Sequence, residues 1–255
     1  MVQQARTTRI WAVVPAAGVG SRMNSAVPKQ YLQLHGKTVL TLTLQRLLEL
    51  PLLCRVVVAI SAEELQSTDS CWQQLDLKEQ LGLTDSPRMQ VCAGADTRQG
   101  SVANALNALA DQAHEDDWVM VHDAVRPCVR ISDINALINA VQHHPAGGLL
   151  AVPVRDTLKL AQTEQASVQG TMDRRQIWAA FTPQMFRYGL LRKALQNALN
   201  TGMEITDESS AIEALNFSPL LIRGNPDNIK ITHPEDLLLA SAILTAQTSE
   251  QNTDV

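Results

Sequence analysis

Short apolar runs alternate with longer helical patterns along most of this chain, and that alternation limits the fold more than any other feature. The runs lie at 10–15, 55–61, 89–93, 118–123 and 148–154, and several of them are apolar on both faces. The patterns between them, at 39–50, 99–110 and 131–141, repeat apolar residues at helical spacing. Buried strands separated by amphipathic helices indicate a mostly parallel sheet with helices on both faces. We therefore predict an α/β fold.

The regular alternation breaks at 155–176, where the residues are mostly polar. Two short extended segments around Gln165 predict a protruding β-arm. After the arm, the sequence predicts a helix at 184–200, a helix capped near Thr206, strands at 220–223 and 229–231, and a helix at 234–245. Residues 249–255 are polar and are expected to fray. The prediction is thus a single domain over 1–255 that carries the arm.

Bulk properties narrow the functional class. A chain of 255 residues with 45% hydrophobic content can build one domain with a sizeable core. The formal net charge of −5 argues against a nucleic-acid partner, since such proteins usually carry a basic excess. No apolar stretch approaches the length of a membrane span. The four cysteines are widely spaced and form no C-x-x-C pair, so we expect reduced thiols in a cytoplasmic protein.

The segment that follows the first predicted strand is a candidate phosphate site. It reads P-A-A-G-V-G-S-R-M at 15–23, and its glycines and alanines leave the backbone N–H groups open to a phosphate. It is not a P-loop, and Met23 replaces the third glycine of the dinucleotide fingerprint. Two cations, Arg22 and Lys29, flank it, an arrangement that suits a triphosphate whose α-phosphorus is attacked. Because parallel sheets bind ligands beyond the carboxyl ends of their strands, 16–23 and 123–127 should share one rim.

Several ordered motifs resemble those of one known family. Read as P-A-A-G-x-G-x-R-M-x(4)-P-K-Q, the first segment resembles the 2-C-methyl-D-erythritol 4-phosphate cytidylyltransferases of non-mevalonate isoprenoid synthesis. The resemblance continues through GADTRQGSV at 94–102, VHDAVRP at 121–127, PVRDT at 153–157, DR at 173–174, TPQ at 182–184, TDE at 206–208 and NIKIT at 228–232. One block alone would be a weak signal, but the ordered set covers most of the chain and is specific.

The resemblance implies a Rossmann-like sheet, and transfer of CMP from CTP to 2-C-methyl-D-erythritol 4-phosphate with release of pyrophosphate. It also implies magnesium, expected on the CTP phosphates without a protein metal site, and a homodimer clasped by the arm. By the family's pattern, Arg22 and Lys29 stabilise the transition state, and Arg174 and Lys230 lie at the acceptor, where we expect them to clamp its phosphate. The nucleotide side would comprise Ala16, Ala17, Gly18, Ala95, Asp96, Ser101, Asp123 and Ala124. The sugar and acceptor side would add Arg126, Thr157, Thr182 and Thr232.

Two positions depart from the family's pattern. Ala95 stands where glycine is usual, which places a side chain near the base, and Val125 stands where alanine is usual and is expected to point into the core. Two further motifs receive no catalytic role. Thr206-Asp207-Glu208 is interpreted as a helix cap with acidic first-turn residues, and His143-His144 as the end of a helix.

The chemistry explains why a convincing catalytic histidine or cysteine is absent. A phosphate monoester is largely deprotonated at neutral pH, because its second pKa is about 6. Such a nucleophile needs no general base, unlike a hydroxyl group. Two alternatives remain from the sequence: a ribitol 5-phosphate cytidylyltransferase, which would share nearly all these motifs, and a non-catalytic nucleotide sensor on the same fold.

Overall fold

The computed structural model describes residues 8–18, 27–83, 86–162 and 167–253. Arg22 and the rest of 19–26 therefore lie outside the described residues. The strands are β1 (Ile10–Pro15), β2 (Gln33–Leu34), β3 (Lys37–Thr38), β4 (Leu53–Ile60), β5 (Met89–Ala93), β6 (Trp118–Val121), β7 (Gly147–Pro153), β8 (Lys159–Ala161), β9 (Val168–Thr171), β10 (Trp178–Arg187) and β11 (Leu220–Arg223). The α-helices are α1 (Val39–Leu48), α2 (Ala62–Gln66), α3 (Cys71–Gln74), α4 (Leu77–Gln80), α5 (Arg98–Asn107), α6 (Ile131–Val141), α7 (Tyr188–Thr201), α8 (Glu208–Glu213) and α9 (Glu235–Thr253).

Seven strands form the central sheet, in the order β11-β7-β10-β6-β1-β4-β5. Strands β6, β1, β4 and β5 pair in parallel, as do β7 and β11. Strand β10 runs antiparallel to both of its neighbours, β6 and β7. This mostly parallel, Rossmann-like sheet confirms the predicted fold class.

Helices cover both faces of the sheet, as the alternation predicts. Side chains of β1 point alternately to the two faces, so Ala12 packs in one core cluster and Val13 in the other. The first cluster contains apolar residues of α1 and α6, and the second contains those of α5 and α7. A third, smaller cluster packs α9 against the segment after β6. The sheet is therefore buried on both sides, and its strand ends are where a ligand can reach it.

The C-terminal half differs from prediction in three places. Residues 184–187, predicted as the start of a helix, belong to β10, because they pair with β6 and the helix begins only at Tyr188. Residues 229–231 form no strand, although Ile231 is fully buried and donates a backbone hydrogen bond to Val125. Helix α9 continues to Thr253, past the predicted end at 245 and into the segment expected to fray. Arg130 holds that extension through an ion pair with Glu250 of 2.6 Å.

The polar segment 155–176 carries the predicted arm. Strands β8 and β9 pair antiparallel with each other and form a sheet of their own. Several apolar side chains of this arm are exposed: Leu160 is 49% and Val168 is 63% accessible. The arm thus has apolar surface without a core beneath it among the described residues.

Across the described part of the chain, no helix is long and apolar enough to cross a membrane.

Candidate active site

The segments that follow β1, β5 and β6 meet at one rim of the sheet, around a cavity of about 150 Å³. This is the position at which parallel sheets bind ligands. Ten residues of the predicted site line it: Ala16, Ala17, Gly18, Lys29, Ala95, Asp96, Ser101, Asp123, Ala124 and Lys230. A larger cavity, of about 420 Å³, lies between α5 and α7, but no predicted site residue lines it. We therefore assign the smaller cavity as the candidate active site.

The glycine-containing loop after β1 is held from behind by Gln30. Its amide nitrogen donates hydrogen bonds to the carbonyl oxygens of Ala16, at 2.8 Å, and Gly18, at 3.1 Å. Gln30 is buried and lies in a 3-10 turn, Lys29–Tyr31, that follows Pro28. Because Lys29 precedes this anchored residue, its position on the cavity wall is tied to the loop itself.

The loop between β5 and α5 forms another part of the cavity wall. Thr97 caps α5 by accepting a hydrogen bond from the Gly100 N–H, and the Ser101 hydroxyl accepts one from the Ala95 N–H at 2.9 Å. Ser101 is buried, so its hydroxyl shapes the loop and exposes little surface of its own. Asp96 is exposed at the loop's tip. The residues predicted for the base and ribose thus lie together.

Asp123 is the centre of a charge network at the end of β6. Its Oδ1 accepts from Arg98 Nε at 3.0 Å, and its Oδ2 pairs with Lys230 Nζ at 3.0 Å and Arg126 Nε at 3.3 Å. Burial alone would raise the pKa of Asp123, but the three cations outweigh it and hold that pKa well below its usual range. Arg98 in turn binds Glu208 of α8 through both terminal nitrogens, at 2.6 and 3.0 Å. Asp123 is therefore a permanent anion that fixes cations beside the cavity.

A comparison with protein families adds an independent finding. Residues 10–246 match the family described as 2-C-methyl-D-erythritol 4-phosphate cytidylyltransferase. The chain belongs to this family.

Relatives and solved structures of the cytidylyltransferase family match nearly the whole chain. An enzyme of this name from Vibrio vulnificus (strain YJ016) is 47% identical over 240 residues, covering 94% of this chain and 96% of its own. One from Pseudomonas aeruginosa is 47% identical over 229 residues, covering 89% and 93%. The crystal structure of the Francisella tularensis enzyme has a TM-score of 0.75 at 36% identity, covering 92% and 100%. That of a 4-diphosphocytidyl-2C-methyl-D-erythritol synthase has a TM-score of 0.77 at 34% identity, covering 94% and 100%.

In this member of the cytidylyltransferase family, the remaining predicted residues lie off the cavity. Arg126 and Thr182 are buried behind Asp123, where the Thr182 hydroxyl accepts from the Asp123 N–H at 3.0 Å. The Thr232 hydroxyl donates to the carbonyl of Lys230 at 3.1 Å. Thr157 and Arg174 are exposed at the base of the arm, and Arg174 donates to the carbonyl of Arg155. The Arg22 prediction falls outside the described residues.

His122 is a buried neutral residue rather than a catalytic base. Its Nε2 donates to the carbonyl of Arg126 at 3.1 Å, and its Nδ1 accepts from the Thr182 hydroxyl at 3.1 Å. Burial lowers the pKa of His122 to about 4. His122 is therefore uncharged at neutral pH, and it belongs to the hydrogen-bonded support of Asp123.

Sequence reasoning missed four residues that organise the site: Gln30, Arg98, His122 and Glu208. Gln30 and Arg98 lie inside the motifs, next to Lys29 and to the cap Thr97, so their proximity was a usable signal. The capping interpretation was sound for Asp207, whose side chain caps α8 in a capping box with Ser210. It gave no sign that Glu208 reaches Arg98, because 110 residues separate the two.

The donor set fits a metal ion carried by the substrate. Among the described residues, no group of three or more His, Cys, Asp or Glu side chains is placed to hold a metal. Magnesium at nucleotide sites is usually bound by phosphates and only one or two carboxylates. Asp123 is already shared by three cations, whereas Asp96 is an exposed carboxylate on the cavity wall.

Burial raises the pKa of Cys92 to about 11 and that of Cys128 to about 12, so neither thiol is a nucleophile at neutral pH.

Replacing His122 with glutamine is expected to flatten the acid side of the stability profile. The pKa of His122 is about 4 in the folded protein, against about 6.5 for an exposed histidine. As the pH falls, the unfolded chain therefore takes up a proton on His122 before the folded protein does. The stability that neutral His122 contributes is fully present above the pKa of the unfolded state, and it is lost as the pH falls toward the pKa of the folded state. The loss is about 3 kcal/mol, at about 1.4 kcal/mol per pH unit. Urea unfolding of both proteins at stepped pH measures it, and parallel profiles would contradict the assignment.

Gly94→Ala is expected to disturb the part of the cavity wall that is predicted to bind the nucleotide. A Cβ at Gly94 would lie 2.5 Å from the Ala17 Cβ and 2.9 Å from the Ser101 Oγ, so the two loops would have to separate. Overpacking of this kind costs about 1–3 kcal/mol of stability, and we expect weaker CTP binding. Gly224→Ala is the matched control, because its nearest neighbour would lie 3.5 Å away. Calorimetric titration with CTP checks both variants. Wild-type affinity for CTP in Gly94→Ala would show that CTP binding does not require the close approach of Gly94 to Ala17 and Ser101.

Proposed function

We propose that this chain transfers CMP from CTP to 2-C-methyl-D-erythritol 4-phosphate, giving 4-diphosphocytidyl-2-C-methyl-D-erythritol and pyrophosphate. Membership of the cytidylyltransferase family over residues 10–246 supports the activity. The observation that carries it in this chain is a cavity with lysines from two distant segments, Lys29 and Lys230, beside the bare loop Ala16–Gly18. Two anionic substrates that must be brought together need cations of this kind on both sides.

The reaction is an in-line displacement at the α-phosphorus. An oxygen of the acceptor phosphate forms a bond to that phosphorus, and the bond to the bridging oxygen of pyrophosphate breaks. The acceptor is already an anion, so no proton has to be removed, and the buried neutral His122 is consistent with this. We assign Lys29, with Arg22, to the charge that develops on the α-phosphate and bridging oxygen. Lys230 and Arg174 hold the acceptor phosphate.

Several site assignments remain part of this proposal. Ala16–Gly18, Ala95, Asp96 and Ser101 would surround the nucleotide, and Asp123 and Ala124 would adjoin its sugar. Magnesium bound to the triphosphate would neutralise phosphate charge during transfer. The four free cysteines support a reducing compartment, and we place the enzyme in the cytoplasm.

One assay separates this function from its alternatives. We would measure pyrophosphate release from CTP with a panel of polyol phosphates, including 2-C-methyl-D-erythritol 4-phosphate and ribitol 5-phosphate. The highest kcat/KM with the first acceptor supports the proposal. Preference for ribitol 5-phosphate would assign the sibling activity instead. CTP binding without release with any acceptor would indicate a nucleotide sensor.

The arm is proposed as the contact of a homodimer. Its exposed apolar residues, such as Leu160 and Val168, would gain cover from a second copy, and Arg174 at its base would reach the partner's acceptor site. A polar excursion of this length in a compact domain is usually functional. Deleting 162–169 is expected to give a monomer with poor activity. Sedimentation velocity checks this, and a deletion variant that remains dimeric would remove the arm from the interface.

A further inference from the structure

Glu208 lies outside the candidate cavity, yet it is the more deeply buried of the two carboxylates in the charge network. The solvent-accessible fraction of Glu208 is 1%, and that of Asp123 is 6%. Helix α8 does not need its side chain for capping, because Asp207 and Ser210 satisfy the first turn. A buried carboxylate that serves no cap needs another reason to be there, since burying a charge is costly unless it is paired. That reason is Arg98.

Glu208 decides how much of Arg98 is available to Asp123. It holds both terminal nitrogens of the guanidinium, so only Nε reaches Asp123, at Oδ1. The second oxygen, Oδ2, therefore stays with Lys230, at 3.0 Å, and Arg126. A guanidinium without Glu208 would favour a two-point contact with the carboxylate, because that geometry matches its fork. Such a contact would compete with Lys230 for Oδ2.

We propose that Glu208 is a positioning residue, which keeps Lys230 placed for the acceptor phosphate by restricting Arg98 to one oxygen of Asp123. This inference rests on the proposed function, in which Lys230 binds the acceptor. The charge balance of the network also depends on Glu208. The network holds three cations, Arg98, Arg126 and Lys230, and two carboxylates, a net charge of +1 (3 − 2 = 1). Neutralising Glu208 alone raises the net charge of the network to +2 (3 − 1 = 2) and leaves Asp123 as the one carboxylate that Arg98 contacts there.

The first test compares Glu208→Gln with the wild-type protein. We expect its KM for the acceptor to rise about 10-fold, the scale of coupling within one ion-pair network, while its KM for CTP stays within about 2-fold. Glu213→Gln is the matched control, since Glu213 is exposed on the same helix and its side chain accepts a hydrogen bond from the Ser209 hydroxyl, outside the charge network. An unchanged acceptor KM in Glu208→Gln would overturn the proposal.

A paired variant guards against simple loss of folding. In Arg98→Gln/Glu208→Gln the net charge stays at +1 and two amides replace the ion pair, so we expect wild-type-like unfolding. Arg98 can no longer compete with Lys230 for Oδ2, so the acceptor KM should fall back from the Glu208→Gln value toward that of the wild type. An acceptor KM that stays about 10-fold raised in the paired variant would overturn the proposal. If Glu208→Gln does not fold, this paired variant decides alone.

A double-mutant cycle tests whether the effect passes through Lys230. We expect Glu208→Gln to change the acceptor kcat/KM by less than about 2-fold in a Lys230→Ala background, because the group it positions is gone. An equal effect in both backgrounds would overturn the proposal. If the wild-type protein failed to release pyrophosphate with every acceptor of the panel, the proposed function itself would be refuted. An active wild type with a normal Glu208→Gln would refute only the positioning role.

Discussion

Lys29→Ala is expected to lower kcat by about 10²–10³, the scale for losing one preorganised contact to the transition state. The charge on the α-phosphate and the leaving oxygen grows during transfer, so the lysine contributes more to the transition state than to bound CTP. The same argument applies to Arg22→Ala. Lys29 is suited to this role because Gln30, the next residue, ties it to the loop after β1.

The measurement is a steady-state titration that separates kcat from the KM for CTP. Affinity for CTP is expected to fall much less than kcat. Lys78→Ala provides the matched control, because Lys78 is an exposed lysine on α4, away from the cavity. Normal turnover by Lys29→Ala would show that the proposed mechanism is wrong.

Lys230→Ala and Arg174→Ala are expected to damage acceptor use rather than CTP use. A charge-assisted contact to phosphate contributes about 1.5–3 kcal/mol, so each change should cost about 10- to 150-fold in kcat/KM for the acceptor. CTP affinity should barely change, because the proposed site for the triphosphate is the loop after β1 and does not include these two residues. Arg174→Lys should recover only part of the loss, since a point charge cannot replace a two-point guanidinium contact.

Two titrations on each variant, one varying CTP and one varying the acceptor, decide the assignment. For Lys230 the structure supplies a reason to expect a clean separation. Its ammonium is fixed by Asp123 at 3.0 Å, at the end of β6 and not by the loop after β1. If the variants changed only the kinetic parameters for CTP, both residues would belong to the nucleotide site, and the proposal that they clamp the acceptor phosphate would be wrong.

The N-terminal half of the fold was readable from sequence because its strands are apolar on both faces and its helices are periodic. Strand β1, strand β5 and helix α6 have the bounds that the pattern predicts. Strand β10 was hidden because residues 184–187 fit a helical period, and pairing with β6 overrides that local preference. Helix α9 was underestimated because its last turns are polar and are held by partners distant in sequence, such as Arg130.

The site divides along a similar line. Residues that present backbone or charge to the cavity, such as Gly18 and Lys29, belong to compact motifs and were found. Residues that support them were not, because support depends on contacts between distant segments. The pairing of Arg98 with Glu208 is the clearest case, since no local pattern connects two residues that far apart. Motifs indicate which groups face a substrate, and only the packed structure indicates what holds them.

Strand β10 connects the arm to the charge network around Asp123. The strand starts at Trp178, directly after the arm, and is hydrogen-bonded to β7 there and to β6 from Gln184 onward. Between these two anchored stretches lies Thr182, whose hydroxyl accepts from the Asp123 N–H. Because one continuous strand joins the arm to Thr182, a displacement of the arm is expected to reach the support of Asp123 through the backbone of β10. For protein engineering, an insertion at the junction of the arm and β10 is therefore expected to disturb the site.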